Sequence, residues 1–593
     1  MTVAGAFRVV FAIAAIAGTA RADTTTDLAA ARALFERNVA AIQQRDRDAY
    51  LACYREDERL VRAGATGFQL GYVGLADGAP ATGSDDWPDT LIASDLQLTP
   101  IADGIVYGTY RYRVVVDGAA RNGISERLFL REGGVWRIAV STAFDAPPGV
   151  PAPPVALAGA TLYDGTGGAP VRDAVVIVRN GRIESAGPRA STPIPDGIDR
   201  VDLEGRYLTP GLIDTHVHYS QTGWADGRPD AVDVRETHPY ERAMADNRLH
   251  PERYHRAFLA SGVTAAFDVG GYPWTLDLPG ATANADDAPH VAATGPLLAT
   301  RDPAALRLPA ARQMVLMVDS SAVRDAIRAN AAQGAGAIKV WLVVANDAEA
   351  ESLAALVRFA GAEAQAAGLP MVVHATTLAS ARLAVEAGAR LLVHSVEDTV
   401  VDRRFVDAVR RDGTFYCPTL TVYDGYLQLF RGRLSDEVRA QLEWIDPHVR
   451  ERVVRTDSLG MRVPAARIAA AEARGVRRDR TMAQNLLALH RAGVPVVFGT
   501  DAGNPLTLHG PSVFPELEAM QKAGLEPRAV LRAATMDAAR ALGRGEELGV
   551  IAPGRIADLL VLERDPGRDV AHMRSLTHVM RAGRLHARAM LRP

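Results

Sequence analysis

Between Gly211 and Thr500, eight short apolar segments alternate with helical stretches, and this alternation restricts the fold more than any other feature of the chain. The segments are Gly211–Tyr219, Thr264–Val269, His290–Gly295, Ala337–Val344, Met371–Ala375, Leu391–Val396, Thr414–Leu420 and Val496–Thr500. Alanine-rich helical patterns at Ala348–Ala367 and Leu378–Ala387 separate several of them. Strands joined through helices run parallel, because the crossover returns the chain to the same end of the sheet. Eight such units over this length fit an α/β architecture of the (β/α)8 barrel type, a TIM barrel. A doubly wound sheet satisfies the same strand count, so the count alone leaves both open.

The 593 residues exceed what one hydrophobic core organises, and the regions flanking the barrel read as separate pieces. Residues 155–208 alternate short strands with turns, including the hairpin signal Asn180-Gly181, and a matching β stretch covers residues 551–593. Together they predict a small β-sandwich built from both ends, around a barrel over 209–550. Upstream, Pro147 to Pro154 form a proline-rich extended linker, the clearest boundary in the chain. Before it, residues 23–146 read as an α+β unit. A helical pattern through Leu34, Val39 and Ile42 is followed by strand runs at Ile105–Val116, Ile124–Arg131 and Val135–Thr142. Glu132-Gly133-Gly134 marks a hairpin between the last two. With its leading helix, its Asp46-x-Asp48-x-Tyr50 stretch and its Gly133-Gly134-Val135-Trp136-Arg137-Ile138 strand, the unit resembles the SnoaL-like (NTF2-like) cone. It reads as an interaction, dimerisation or lid module.

Residues 1–22 set the compartment. Arg8, the apolar run Val9–Gly18 and the small-residue signal Ala20-Arg21-Ala22 predict a secretory signal peptide, cleaved near Ala22 and too short to span a bilayer. The expected product is secreted, in a bacterial periplasm. Cys53 and Cys417 are the only cysteines and fall in different predicted domains, so two buried free thiols are expected rather than a disulfide framework. The formal charge of −4 is close to balanced and points to neither a nucleic-acid partner nor stable membrane insertion. A small-molecule substrate is the expected partner, with homo-oligomerisation open.

Potential ligands fall at the ends of the apolar strands. His216 and His218 sit two apart on the first, so both imidazoles share a face. Lys339 lies on the fourth, His374 and His394 end the fifth and sixth, and Asp501 follows the eighth. Barrel active sites form at the C-terminal ends of the strands, so these six would converge on one mouth. Lys339 is singular. Among 66 basic residues only Lys339 and Lys522 are lysine, and Lys339 stands inside Ala337-Ile338-Lys339-Val340-Trp341-Leu342. A buried amine can lose its proton where a guanidinium cannot, so lysine there points to chemistry.

These stretches resemble the amidohydrolase superfamily, in its imidazolonepropionase-like and prolidase-like branch. The likeness rests on Leu208-Thr209-Pro210-Gly211-Leu212-Ile213-Asp214-Thr215-His216-Val217-His218, Ile338-Lys339-Val340, His374, His394, Gly499-Thr500-Asp501 and Leu548-Gly549 through Ala557-Asp558-Leu559. The resemblance implies that His216, His218 and Asp501 hold one divalent metal ion and His374 and His394 a second. Lys339, carboxylated by carbon dioxide, would bridge them as a carbamate. Nitrogen and oxygen donors of this kind suit Zn2+. Two such ions activate water for attack on a carbonyl, with Asp501 as general base and then general acid, which implies hydrolysis of an amide-type C–N bond in a dipeptide or N-acyl amino acid. A cyclic amide, lactone or other ester is the alternative substrate, and a non-catalytic binding protein the alternative class. Trp341, Tyr423 and His509 are candidate pocket residues. Where relatives carry a Gly-Gly-His turn, this chain has Thr294-Gly295-Pro296 running on to Arg301, a candidate clasp for a substrate carboxylate. His238, His250 and His255 read as lid or surface.

Overall fold

The computed structural model describes residues 24–593, except 65–66, 85, 89, 117–118, 146–153, 197 and 461–462. The expected signal peptide and almost all of the proline-rich linker lie outside the described residues. The chain divides into two compact units, Met1–Val150 and Pro151–Pro593.

In the first unit, helix Thr24–Gln43 and a shorter helix, Arg47–Leu51, pack with a six-stranded sheet. The strand order is Gly67–Leu70, Val61–Gly64, Val135–Asp145, Ala119–Glu132, Ile105–Val116, Thr90–Ala102. The Gly133-Gly134 hairpin forms as the sequence indicates, with both glycines at positive φ (56° and 82°) and Glu132 opposite Val135. Asp46 caps the short helix, its side chain accepting from Ala49 N at 3.0 Å, and Tyr50 is buried in the core. These two residues of the Asp46-x-Asp48-x-Tyr50 stretch therefore serve local structure.

The second unit contains an eight-stranded sheet assembled from distant parts of the chain. Five strands come from residues 155–210 and three from 559–587. They join where Tyr207–Pro210 runs antiparallel to Leu559–Leu562, with Leu208 opposite Val561. The strands of the two ends belong to one hydrogen-bonded sheet. Tyr207–Pro210 pairs with Val155–Leu162 on one edge and Leu559–Leu562 on the other, so the two ends share one ladder.

The strands of the expected barrel fall into two parallel sheets, and no closed eight-stranded ladder is present among the described residues. One holds Leu212–Val217, Val263–Asp268 and His290–Ala293. The other has the order Met314–Leu316, Leu297–Ala299, Ile338–Trp341, Met371–His374, Leu391–Val393, Phe415–Cys417. The predicted eighth strand is not a regular one. Its segment hydrogen-bonds to both sheets, Val497 N to Tyr416 O at 2.9 Å and Thr215 N to Phe498 O at 3.1 Å. Its ladder contacts are isolated bridges, Val496 opposite Tyr416 and Ala502 opposite Val217.

The helical layer is packed closely against itself. A Cβ on Gly361, in helix Asp347–Ala366, would stand 1.9 Å from the carbonyl oxygen of Ala387, which ends helix Leu378–Glu386. Gly361→Ala is therefore expected to destabilise the chain by about 1–3 kcal/mol, read as a lower denaturation midpoint. An unchanged midpoint would show that the two helices can separate freely.

Candidate metal centre

Strand Leu212–Val217 aims His216 at the centre, and His218 follows on the same face. The main chain orients the second ring: His218 Nδ1 meets Gly270 O at 2.8 Å, which leaves Nε2 facing Asp501 Oδ1 at 3.1 Å. His216 Nε2 stands 3.2 Å from the same oxygen. His394 Nδ1 meets Thr419 Oγ1 at 2.8 Å and lies 4.0 Å from Asp501 Oδ2. The His374 and His394 rings are 4.3 Å apart between centroids, and those of His216 and His394 4.8 Å. His394 and Asp501 both hold left-handed backbone conformations, at φ 75° and 63°. Strain of this kind persists only where the surroundings enforce it, and it gathers at functional sites.

The donor set fits a cation. Both nitrogens of His216, Lys339 Nζ and Asp501 Oδ1 are buried without a hydrogen-bond partner. Orphaned buried polar atoms are expensive, so four beside one another call for a group that satisfies them together. Donor atoms of His216, His394 and Asp501 all lie within 4.8 Å of one another. Burial above all, and then the Lys339 charge, holds His216 and His374 well below the usual imidazole range; burial and then His374 do the same for His394. Neutral imidazoles are the ligating form. Burial also brings the Lys339 amine down to about 7, within reach of its neutral, nucleophilic state.

A second layer holds the first. Asp214, fully buried, accepts from His216 N at 3.2 Å, Thr500 N at 3.0 Å and Thr500 Oγ1 at 2.6 Å, tying the strand of His216 to the segment that leads to Asp501. Burial pushes the Asp214 carboxyl up to about 7. Asp268 accepts from Tyr219 N at 2.7 Å and Gly270 N at 3.2 Å, fixing the turn whose carbonyl meets His218.

All six residues line one cavity of about 340 Å³, together with Trp341 and Tyr423. Two sequence candidates stand elsewhere. Arg301 points outward, 47% exposed, and forms two hydrogen bonds with Glu349 at 2.7 and 2.9 Å; the helix start at Asp347 places that carboxylate within its reach. His509 is buried behind the site, stacked on Tyr254 with 3.8 Å between centroids, its Nε2 3.0 Å from His218 O. It supports a backbone and does not face the cavity. Of the other histidines, His250 lies beside Glu252, and His255 is half-buried with its ring against Tyr219. Sequence reasoning missed Arg228, Gln313, Tyr426 and Asn504, which also line the cavity. Asn504 Oδ1 accepts from Arg228 Nη1 and from Tyr426 OH, each at 2.6 Å, and its Nδ2 donates to Asp501 O at 3.2 Å. Only Asn504 carried a signal, its place three residues after Asp501. Both cysteines are free and buried. Among the described residues no helix is long and apolar enough to cross a membrane.

Several known proteins are similar to this chain. Imidazolonepropionase from Caulobacter vibrioides is 32% identical over 126 residues, which cover 18% of this chain and 31% of that protein. N-acyl-D-aspartate deacylase from Alcaligenes xylosoxydans xylosoxydans is 47% identical over 62 residues, 10% of this chain and 12% of that protein. The matched stretches thus span less than a third of the length of these relatives. Among solved structures, a Xaa-Pro dipeptidase with bound methionine superimposes with a TM-score of 0.55 at 20% identity, covering 73% of this chain and 100% of that one. Ochratoxinase from A. niger gives 0.54 at 20% identity, covering 73% of this chain and 96% of that one. These two likenesses carry the fold. The amidohydrolase family model matches residues 207–585, a span that runs from the edge-to-edge sheet junction through every lining residue of the cavity, and the chain belongs to the amidohydrolase family of hydrolases.

Proposed function

We propose that this chain is a two-metal hydrolase that cleaves an amide-type C–N bond in a small molecule, a dipeptide or an N-acyl amino acid. One observation carries the reading: four imidazoles, the Lys339 amine and the Asp501 carboxylate line a single cavity, and both His216 nitrogens, Lys339 Nζ and Asp501 Oδ1 are buried there without hydrogen-bond partners. The names of the relatives point the same way, since a dipeptidase and a deacylase both act at such bonds. In this reading the two parallel sheets and the 495–502 segment belong to a (β/α)8 barrel, the N-terminal unit is NTF2-like, and the protein is exported to the periplasm.

His216, His218 and Asp501 would hold one divalent cation and His374 and His394 the other, Zn2+ being the best match to these donors. Lys339 would be shared between them after its neutral Nζ adds to the carbon of carbon dioxide and gives up one proton. When bound, the cations supply Lewis acidity, which acidifies water and polarises a carbonyl. Asp501 takes the proton of the attacking water and hands it to the departing nitrogen, so that an amine leaves and a carboxylate remains. Gly270 O keeps the proton of His218 on Nδ1 and the donor face of the ring towards the cavity. Trp341 and Tyr423 offer apolar wall to the side chain of the substrate, and Arg228, Gln313 and Tyr426 add polar surface.

Metal analysis after reconstitution should give two ions per chain; fewer than one would favour a binding protein. Assayed against dipeptides, N-acyl amino acids and lactones, the reconstituted protein should release amine from one of the first two classes. Turnover confined to lactones would defeat the amide reading.

A further inference from the structure

The turn that follows strand Phe415–Cys417 is gripped from two sides. On one side stands His394, whose Nδ1 meets Thr419 Oγ1, and next to it Ser395 Oγ donates to Pro418 O at 3.0 Å. On the other stands Glu516, fully buried in helix Val513–Lys522. Its Oε1 accepts from Leu420 N at 2.7 Å, and its Oε2 from Thr421 N at 2.9 Å and Thr421 Oγ1 at 2.8 Å. Thr419 lies between the two grips and adopts a left-handed φ of 43°. A β-branched residue takes that conformation only under constraint.

Two features set Glu516 apart from an ordinary loop anchor. Its three partners are neutral donors, and among the described residues no cation pairs with it, a costly setting for a buried carboxylate. An amide could not take its place without turning an N–H towards one of those donors. The second feature is where the strain goes. Fixing residues 420 and 421 fixes the chain just beyond Thr419, and the hydroxyl carried by that turn is the one on His394. Glycine would adopt the same φ freely but brings no hydroxyl. With Nδ1 engaged, a neutral His394 ring has Nε2 to offer a cation, and Thr419 Oγ1 accepts the proton of Nδ1.

We propose that Glu516 is a positioning residue for the ion assigned to His374 and His394, acting through Thr419, whose hydroxyl sets the orientation and tautomer of the His394 ring. The proposal rests on the two-metal reading above.

The test measures Zn2+ stoichiometry and the affinity of each ion by competition with a chelator, together with thermal unfolding of the metal-free protein. Glu516→Gln releases the grip. Thr419→Val keeps the branched shape and removes the hydroxyl. In both, one of the two ions should bind roughly ten- to a hundredfold more weakly, and the other as in the wild type. Thr419→Ser keeps the hydroxyl and should keep the affinity. Should Glu516→Gln fail to fold, Glu516→Asp retains the acceptors, shortens the reach and should show the same weakening. A merely structural anchor would lower the unfolding temperature of the metal-free protein and leave both affinities unchanged; that result in the Glu516 variant overturns the proposal. So does a Thr419→Ser variant as weak as Thr419→Val. A wild type that binds fewer than one ion overturns the two-metal reading and the proposal with it, whereas two ions held alike by wild type and variants overturn the proposal alone.

Discussion

Replacing Asp501 by asparagine should lower kcat by roughly 10²- to 10⁴-fold and leave the fold intact, because the proposed proton relay passes through this one carboxylate. The substitution is chosen for its backbone. Asp501 sits at φ 63°, a left-handed conformation that asparagine tolerates and most side chains resist. Its main chain is also held in place, with its N–H on His216 O at 2.7 Å and its carbonyl on Asn504 Nδ2 at 3.2 Å. The amide therefore keeps the shape of the site and loses only the charge and the ability to take a proton. Rates and thermal unfolding measured together decide the matter. A variant with more than about a tenth of wild-type kcat would remove Asp501 from the role of base.

Lys339→Met should be at least as damaging to turnover and should also cost the centre its second metal, since the proposed bridge disappears. Its signature in the metal-free protein is separate from activity. Burial brings the Lys339 amine from 10.5 to about 7. Between those values the unfolded chain keeps a proton that the folded chain has released, so stability rises with pH across that window and levels off above it. Below about 7 both states are protonated and the penalty for burying the charge is present in full. In Lys339→Met this portion of the pH dependence should vanish, and the metal-free variant should be the more stable protein at acidic pH. Denaturant unfolding on both sides of the window measures it. A stability profile that the substitution leaves unchanged would mean that the amine is not buried as a cation at all.

The six centre residues could be located from the sequence because strands impose strict geometry. Two-residue spacing puts His216 and His218 on one face, and an apolar run makes Lys339 conspicuous. The cavity wall opposite was invisible for the converse reason. Arg228, Gln313 and Asn504 come from loops and Tyr426 from helix Val422–Arg431, where no period announces which side chain turns inward. Arg301 shows the limit from another side. A lone cation after a strand looks available until its partner is known, and Glu349 lies 48 residues further on. His509 misled similarly, since its partners are a ring at position 254 and a carbonyl at 218. The eighth strand was legible as an apolar run, but its pairing through isolated bridges at Val496 and Ala502 is not something a sequence announces.

The strand Leu559–Leu562 pairs with Tyr207–Pro210, some 350 residues earlier in the chain. During synthesis that earlier strand emerges with one edge bare and waits for its neighbour. Loop closure over such a separation is slow, and an unpaired strand edge invites aggregation in the meantime. Biogenesis, more than the finished fold, is thus where this molecule is most exposed: a nascent chain arrested before Leu559 would display an open, apolar β edge to chaperones and proteases.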